Sequence, residues 1–381
     1  MVDGSPGRRE DRADGLTLVV LGGGPAQRHA IDAAQALGVR TVVCDANPAR
    51  GDVAVSSEDV EGVLRTAREA GARGLIAPGT DWPVRVAAEV AEELDLPHPL
   101  DLATAQIATD KLAQRERLAA AGVPQPGWSL AGPPSFPAVV KAADRQGQRA
   151  MSIVSHGDEL AEAAARARRA SRAGVVLYEE FVSGPEVTVN GFAVDGRHHV
   201  AAVTARDHFD GVHGVAQRHV FPSGLDDASA ARTADAAVAA LGIRSGPTYT
   251  QIVLSPDGPR VMEVAARLGG GHDSELVRIA TGVDLATAAV CAALGIPVQE
   301  GDLAPSAGPA CVIEFLRAPA GVLAGVSGPP EATFYHPPGH VYGPLRVATD
   351  RAGYVIRTAP TREEALAQAR TAAEAVSFEV T

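Results

Sequence analysis

The chain is poor in cysteine. Its 381 residues include three, Cys44, Cys291 and Cys311, each in apolar sequence and none in a CxxC pair. That pattern excludes a disulfide framework, argues against a zinc site, and suits a reducing cytoplasm. Positive charge is also short: 34 Lys and Arg stand against 46 Asp and Glu, for a net charge of −12 and a pI near 5.4. A general nucleic-acid or anionic-membrane surface needs clustered Lys and Arg, so neither partner is expected, while a local basic pocket for phosphates stays open. No apolar run approaches the ~18 residues of a membrane span. Residues 1–14 are polar and charged, hold no apolar signal core, and are expected to form a disordered tail. No internal repeat of roughly 20–50 residues is present. Apolar sequence is plentiful at 46%, enough for the two or three domains that this length suggests.

Strand–helix alternation begins at residue 16. Apolar residues 16–21 end at Gly22-Gly23-Gly24-Pro25, and a helical face follows with Ala30, Ala33, Ala34 and Leu37. Strands at 41–44 and 74–77 and helices around Val60–Ala67 and Val84–Leu94 continue the pattern, which predicts a parallel sheet covered on both faces. Gly22-x-Gly24, with Asp45 about 20 residues on, partly matches a dinucleotide fingerprint. Gln27 stands where the third glycine belongs, so a scaffold or substrate-loop role is preferred over an NAD-dependent oxidoreductase. Asp81, just before Pro83, reads as a helix N-cap, with a side chain reaching into a cleft as the alternative.

From about residue 110 the pattern changes to hairpins with helices. Asp110-Lys111 opens a helix, residues 136–141 form a strand ending in Lys141, and an alanine-rich helix covers 157–170. Strands at 175–178 and 187–194 flank Glu179-Glu180-Phe181-Val182 and Glu186. Residues 207–224 are polar, contain His208, His213 and His219, and read as a long loop that could serve as a substrate flap. The histidine spacings match no helical metal motif. A final helix starts at Thr361, with Glu364 placed for a capping box.

Between these lies a hairpin. Ser255-Pro256-Asp257-Gly258 carries the residues of a type I turn. It joins strand residues 249–254 to 260–265, and sets Gln251 opposite Glu263 on one side, with Arg267, Gly269, Gly270, Gly271, His272 and Asp273 following. Two hard oxygen ligands beside a cation suit a magnesium–phosphate site; an ordinary hairpin with one exposed acid is the plainer reading.

Taken together, these landmarks resemble the ATP-grasp superfamily of ligases. The resemblance covers the chain from about residue 16 onward. It implies an α/β and α+β fold: a pre-ATP-grasp parallel β/α domain (15–109), a two-subdomain ATP-grasp domain (110–300) with its hinge near 179–182, and a small C-terminal α+β subdomain (301–381). Asp350-Arg351-Ala352-Gly353 and Thr361-Arg362-Glu363-Glu364-Ala365 look like the tail of amino-acid ligases and biotin-carboxylase-like members. By the same resemblance, Lys111 and Lys141 match the lysines that contact ATP phosphates. Residues 144–150 match the phosphate-covering flap with one glycine, where Arg145 or Arg149 could compensate. Glu180 and Val182 would read adenine through their backbones, with Glu179 assisting through its side chain. Glu186 matches the acid that binds the ribose hydroxyls. Gln251 and Glu263 match the Mg2+ ligands, whereas Ala265 stands where many members carry a further asparagine ligand. Arg267 matches the arginine near the transferring phosphate. Gly269–271 would approach an oxyanion, and Gly270, Gly271 and His272 are expected to contact substrate.

The implied reaction is ATP-dependent carboxylate–amine ligation through an acylphosphate, with ATP and Mg2+ as cofactors and a small carboxylate and an amine as substrates. Dimers are common in the family. A carboxylase-type enzyme using bicarbonate is one alternative, although no biotin-attachment sequence of the Met-Lys-Met kind appears. A non-catalytic ATP- or ligand-binding protein is the other.

Overall fold

The computed structural model describes residues 12–145, 150–212 and 214–381. β1 (Thr17–Leu21), α1 (Arg28–Ala36), β2 (Arg40–Cys44), α2 (Val60–Ala70), β3 (Gly74–Ile76) and α3 (Trp82–Glu93) form the first unit, a parallel sheet in the order β2-β1-β3. β1 is buried throughout because helices cover both faces. Asp59 caps α2 by accepting from the Gly62 N–H, and Gly71 ends it with φ of 63°. A short helix absent from the sequence expectation, α4 (Leu102–Ala108), is capped by Asp101, and α5 (Lys111–Ala120) follows, capped by Asp110.

β4 (Trp128–Ser129), β5 (Ala138–Ala142), β6 (Ser152–Val154), α6 (Leu160–Ala170) and β7 (Val176–Glu180) form a small antiparallel sheet in the order β4-β7-β5-β6. The alanines of α6 pack on Ala138, Val140 and Val176. The remaining elements are β8 (Glu186–Val194), β9 (Arg197–His208), β10 (Ala216–Phe221), α7 (Asp227–Ala240), β11 (Gly246–Ser255), β12 (Gly258–Ala265), α8 (Asp273–Thr281), α9 (Leu285–Ala293), β13 (Ala310–Leu316), β14 (Gly321–Ser327), β15 (Ala332–Phe334), β16 (Val341–Tyr342), β17 (Gly353–Ala359), α10 (Arg362–Glu374) and β18 (Ser377–Val380). Eight of these strands make one antiparallel sheet, β12-β11-β8-β9-β10-β13-β17-β15, and β16-β14-β18 make a third small sheet. The capping box at Thr361 and Glu364 forms as expected. Strands from beyond residue 301 extend the large sheet.

Part of the long loop expected over 207–224 is strand. β9 runs to His208, and β10 pairs with both β9 and β13. Its polar side chains have distant partners: Arg218 Nε donates to Glu314 at 2.8 Å, and His219 Nδ1 lies 2.8 Å from Asp273 Oδ1. Charge that reads as loop is here paired across a sheet, and the flap reading falls for those residues. His213 lies outside the described residues.

β12 is the outer strand of the large sheet, and α5 closes its edge with side chains. Gln114 Nε2 donates to the Val264 carbonyl at 2.8 Å, and the Val264 N–H donates to Gln114 Oε1 at 3.1 Å. Arg115 donates to the carbonyls of Val261 and Met262 at 3.1 and 2.6 Å. Unpaired strand groups that invite association are thus satisfied within the chain. Arg115 Nε also pairs with Glu179 Oε1 at 2.7 Å, and Lys141 Nζ meets Glu179 Oε2 at 2.7 Å. Arg115 and Glu179 are each 1% exposed. At a separate point the small sheet's neighbour Arg172 reaches the first unit, 3.9 Å over the Trp82 ring and 2.6 Å from Glu58.

Burial alone would raise the Glu179 pKa, but Arg115 and Lys141 overcome it and hold the group at about 2. Glu179→Gln leaves a buried guanidinium without its carboxylate, which costs about 3–5 kcal/mol. Urea unfolding should show that loss in full above the ordinary carboxylate pKa of 4.5, and the gap between wild type and variant should shrink as pH falls toward about 2. A gap independent of pH would contradict the assignment.

Candidate functional site

Between the small sheet and the large sheet lies a cavity of about 670 Å³. Val139, Lys141, Met151 and Ile153 line it from one side, and Glu186, Gln251, Val253 and Glu263 from the other. A second cavity of about 270 Å³ draws its walls from the first unit, the large sheet and the C-terminal segment. Gln251, Glu263 and Arg206 line both cavities, so the two meet at the hairpin.

The hairpin has the expected register. Gln251 is the cross-strand partner of Glu263, with an irregularity after Gln251 that lets both strands twist. Lys111 Nζ pairs with Glu263 Oε1 at 2.7 Å and donates to the Arg145 carbonyl at 2.7 Å. Burial would lower the Lys111 pKa, yet Glu263, with Asp81 and Glu179, raises it. Burial dominates at Lys141, whose pKa is lowered despite Glu179, because Arg115 and Lys111 stand nearby. Glu263 is lowered, Lys111 overcoming the opposing effect of burial. Two lysines therefore share two carboxylates along one wall. Among the described residues no group of three or more His, Cys, Asp or Glu is placed to hold a metal. Gln251 and Glu263 supply two oxygens, which fits a magnesium ion that completes its shell with phosphate and water. Ala265 is buried and contributes none.

The segment expected to hold a base is partly corrected. Glu179 does not offer its side chain to a ligand: Arg115 and Lys141 occupy both its oxygens. Val182 lines the larger cavity, whereas the Glu180 N–H donates to the Gly127 carbonyl at 2.9 Å. Glu186 lines it too, paired with Arg206 and with His208 at 3.1 Å; the Arg206 charge and the hydrogen bonds from both overcome burial and hold Glu186 at about 2. Arg145 faces this cavity while its Nε donates to the Ala170 carbonyl. The flap residues Gln146, Gly147, Gln148 and Arg149 lie outside the described residues.

Arg267 lines the smaller cavity, its Nε 2.5 Å from Asp81 Oδ1. Asp81 sits at the N-cap position of α3 but makes no capping bond, so the cap reading gives way to the cleft-facing one. Gly270 and Gly271 line the same cavity, but the Gly271 N–H points to Asp273 Oδ2 at 3.3 Å rather than to a ligand. A Cβ at Gly271 would lie 2.7 Å from the His219 ring, which requires glycine there. His272, with φ of 61°, stacks 3.9 Å from Tyr354 and shares a 2.7 Å hydrogen bond with the Tyr335 hydroxyl. Burial, then Arg351, depresses its pKa to about 3, so its imidazole is neutral near pH 7.

Sequence reasoning missed Arg206, Tyr335 and Arg351 in these walls. The Asp350-Arg351-Ala352-Gly353 segment was the available signal for the last. In the first unit, the Gly23 N–H donates to Asp45 Oδ2 at 2.9 Å, and a Cβ at Gly23 would lie 1.8 Å from the Arg50 carbonyl oxygen. The glycine loop is packed by its own unit, which supports the scaffold reading over dinucleotide binding. Neighbouring Pro25 and Ala26 line the smaller cavity.

Two family models match the chain. One, the carbamoyl-phosphate synthase L chain ATP-binding domain, covers residues 122–301; the other, L-amino acid ligase C-terminal domain 2, covers residues 314–381. The uncharacterized protein y4rH of Sinorhizobium fredii is 29% identical over 326 residues, 77% of this chain, and the match spans 65% of that relative's length. L-amino acid ligase from Bacillus licheniformis superposes with a TM-score of 0.82 at 21% identity, over 97% of this chain and 99% of that one. Biotin carboxylase from Campylobacter jejuni does so with a TM-score of 0.76 at 15% identity, over 97% and 93%. At such identities the superpositions carry the fold, a mixed α/β and α+β architecture. The two sequence models follow one another along the chain, so residues 122–301 carry an ATP-grasp ATP-binding domain and residues 314–381 an L-amino acid ligase C-terminal domain.

Proposed function

We propose that the chain is an ADP-forming carboxylate–amine ligase that makes an amide or peptide bond from a small carboxylic acid, in the first place an amino acid. The observation that carries this is the meeting of the two cavities at Gln251 and Glu263, within reach of Lys111 and beside Arg267. The larger cavity has the volume of a nucleotide site. The smaller one is lined by Asp81 and Glu263, both already paired with cations. The likeness of residues 314–381 to an L-amino acid ligase domain favours an amino-acid substrate.

In this reading Val182 meets the base through its backbone and Glu186 accepts from the ribose hydroxyls. Lys111 exchanges Glu263 for phosphate oxygens when the nucleotide enters, which frees the Glu263 carboxylate. Gln251 and Glu263 would then hold magnesium, which supplies charge neutralisation for the phosphates. Lys141, held in place by Glu179, faces the same phosphates. Arg267, fixed by Asp81, orients the acid so that its carboxylate oxygen attacks the γ-phosphorus as the bond to ADP breaks. The amine nitrogen then attacks the carbonyl carbon of the acylphosphate, phosphate leaves, and the nitrogen gives up a proton. No covalent enzyme intermediate is involved, so positioning and charge neutralisation do the catalytic work.

An ADP-release screen over paired carboxylic acids and amines tests the reading, with bicarbonate as a separate arm. Turnover that needs both an acid and an amine is expected; turnover with bicarbonate alone would mark a carboxylase-type enzyme instead. Glu263→Ala or Arg267→Ala should lower substrate-dependent ADP release about 10²–10³-fold or more with the circular dichroism unchanged, and near-normal turnover in either would overturn the assignment. Lys141→Met should weaken ADP binding about 10-fold or more by calorimetry, the scale of a charge-assisted phosphate hydrogen bond. Chelation by EDTA should stop turnover and added Mg2+ restore it.

A further inference from the structure

The smaller cavity holds a cation that the ligation chemistry above does not use. Arg351 is 6% exposed and lines that cavity without lining the larger one. Its guanidinium lies 3.7 Å over the Phe315 ring, and its Nε donates to the Ala348 carbonyl at 2.8 Å. Those two contacts fix the plane and leave the terminal nitrogens as a fork. Among the described residues no carboxylate stands at ion-pair distance from it. Arg267 and Arg206, in the same walls, have Asp81 and Glu186.

A buried guanidinium without a counter-ion is costly. Burial and the neighbouring Arg206 hold the Arg351 pKa below the ordinary guanidinium range, with Tyr335 and Asp273 opposing. The fold nevertheless keeps it in place, braced by an aromatic ring and a carbonyl. Arg presents a planar fork matched to a carboxylate. The wall beside it, His272 with Tyr335, offers flat aromatic surface and a neutral imidazole.

We infer that Arg351 is a specificity-determining residue that binds a second carboxylate of the substrates, one that is not activated by phosphorylation. The inference rests on the ligase reading for the word substrate and on the cavity for the rest. The carboxylate comes either from the amine donor, which is then an α-amino acid, or from the acid, which is then a dicarboxylate.

The test compares matched probes on the full chain. In one arm each amino acid is offered as amine donor beside its α-amide; in the other, succinate and glutarate are offered as acids beside their monoamides. ADP release and calorimetry are read for wild type, Arg351→Met and Arg351→Lys. In the arm that supplies the carboxylate, wild type should favour the free acid by about 10²-fold or more, as sites built around a polar group do. Arg351→Met should abolish that preference through KM, leaving turnover of the amide probe nearly unchanged, and Arg351→Lys should restore part of it. A preference that survives in Arg351→Met, or no preference in wild type in either arm, overturns the inference. Should no pair give ADP release, the ligase reading fails, and calorimetry on the same probes still decides for or against Arg351.

Discussion

The Glu179 carboxylate is the point through which the nucleotide-facing half of the structure is held. It is buried at the end of β7, and its two oxygens bind Arg115 from α5 and Lys141 from β5. An isolated carboxylate could not stay ionised there. With two cations it does, and each cation is thereby fixed for a second task. Arg115 spans the free edge of β12, which sets the strand that carries Glu263. Lys141 is aimed along the cavity wall. One buried anion thus links the hinge, the edge of the large sheet and a phosphate-facing lysine, and the rest of the site inherits its geometry from that link.

The same logic recurs at smaller scale. Glu263 holds Lys111, Asp81 holds Arg267, and Glu186 holds Arg206. Lys111, Arg267 and Arg206 are each paired with a carboxylate, which lets positive charge be stored in low dielectric until an anionic ligand arrives. The exchange of partners, rather than the creation of new charge, is then the energetic event of binding. Arg351 departs from the pattern, and its isolation within it is what gives it meaning.

Much of this was legible in the sequence where local chemistry decides structure. The turn at Ser255-Pro256-Asp257-Gly258 and the count of residues on either side set Gln251 against Glu263, and the register agrees. Thr361 and Glu364 form their capping box, and the alternating pattern of residues 16–94 gives the parallel sheet. What failed depends on partners far away in the chain. β10 looked like loop because Arg218 and His219 are charged or polar, and their partners Glu314 and Asp273 are not local. Arg115 lies on an ordinary helix, and no local pattern announces a guanidinium that will be buried against a carboxylate 64 residues away. Asp81 stood in perfect position to cap α3, but Arg267, a stronger partner, claimed it. Glu179 was given an assisting role toward the ligand by the family resemblance, whereas its neighbours in space consume it.

Arg172 adds a consequence for how the molecule breathes. Its contacts to Trp82 and Glu58 fasten the small sheet to the first unit near the protein's skin, far weaker than the buried knot at Glu179. A ring–cation contact and a partly exposed ion pair are together worth about 1–2 kcal/mol. Any swing of the small sheet away from the first unit has to break that clasp while keeping the knot. The clasp acts as a catch whose hold weakens with ionic strength, and the knot as a hinge pin that does not.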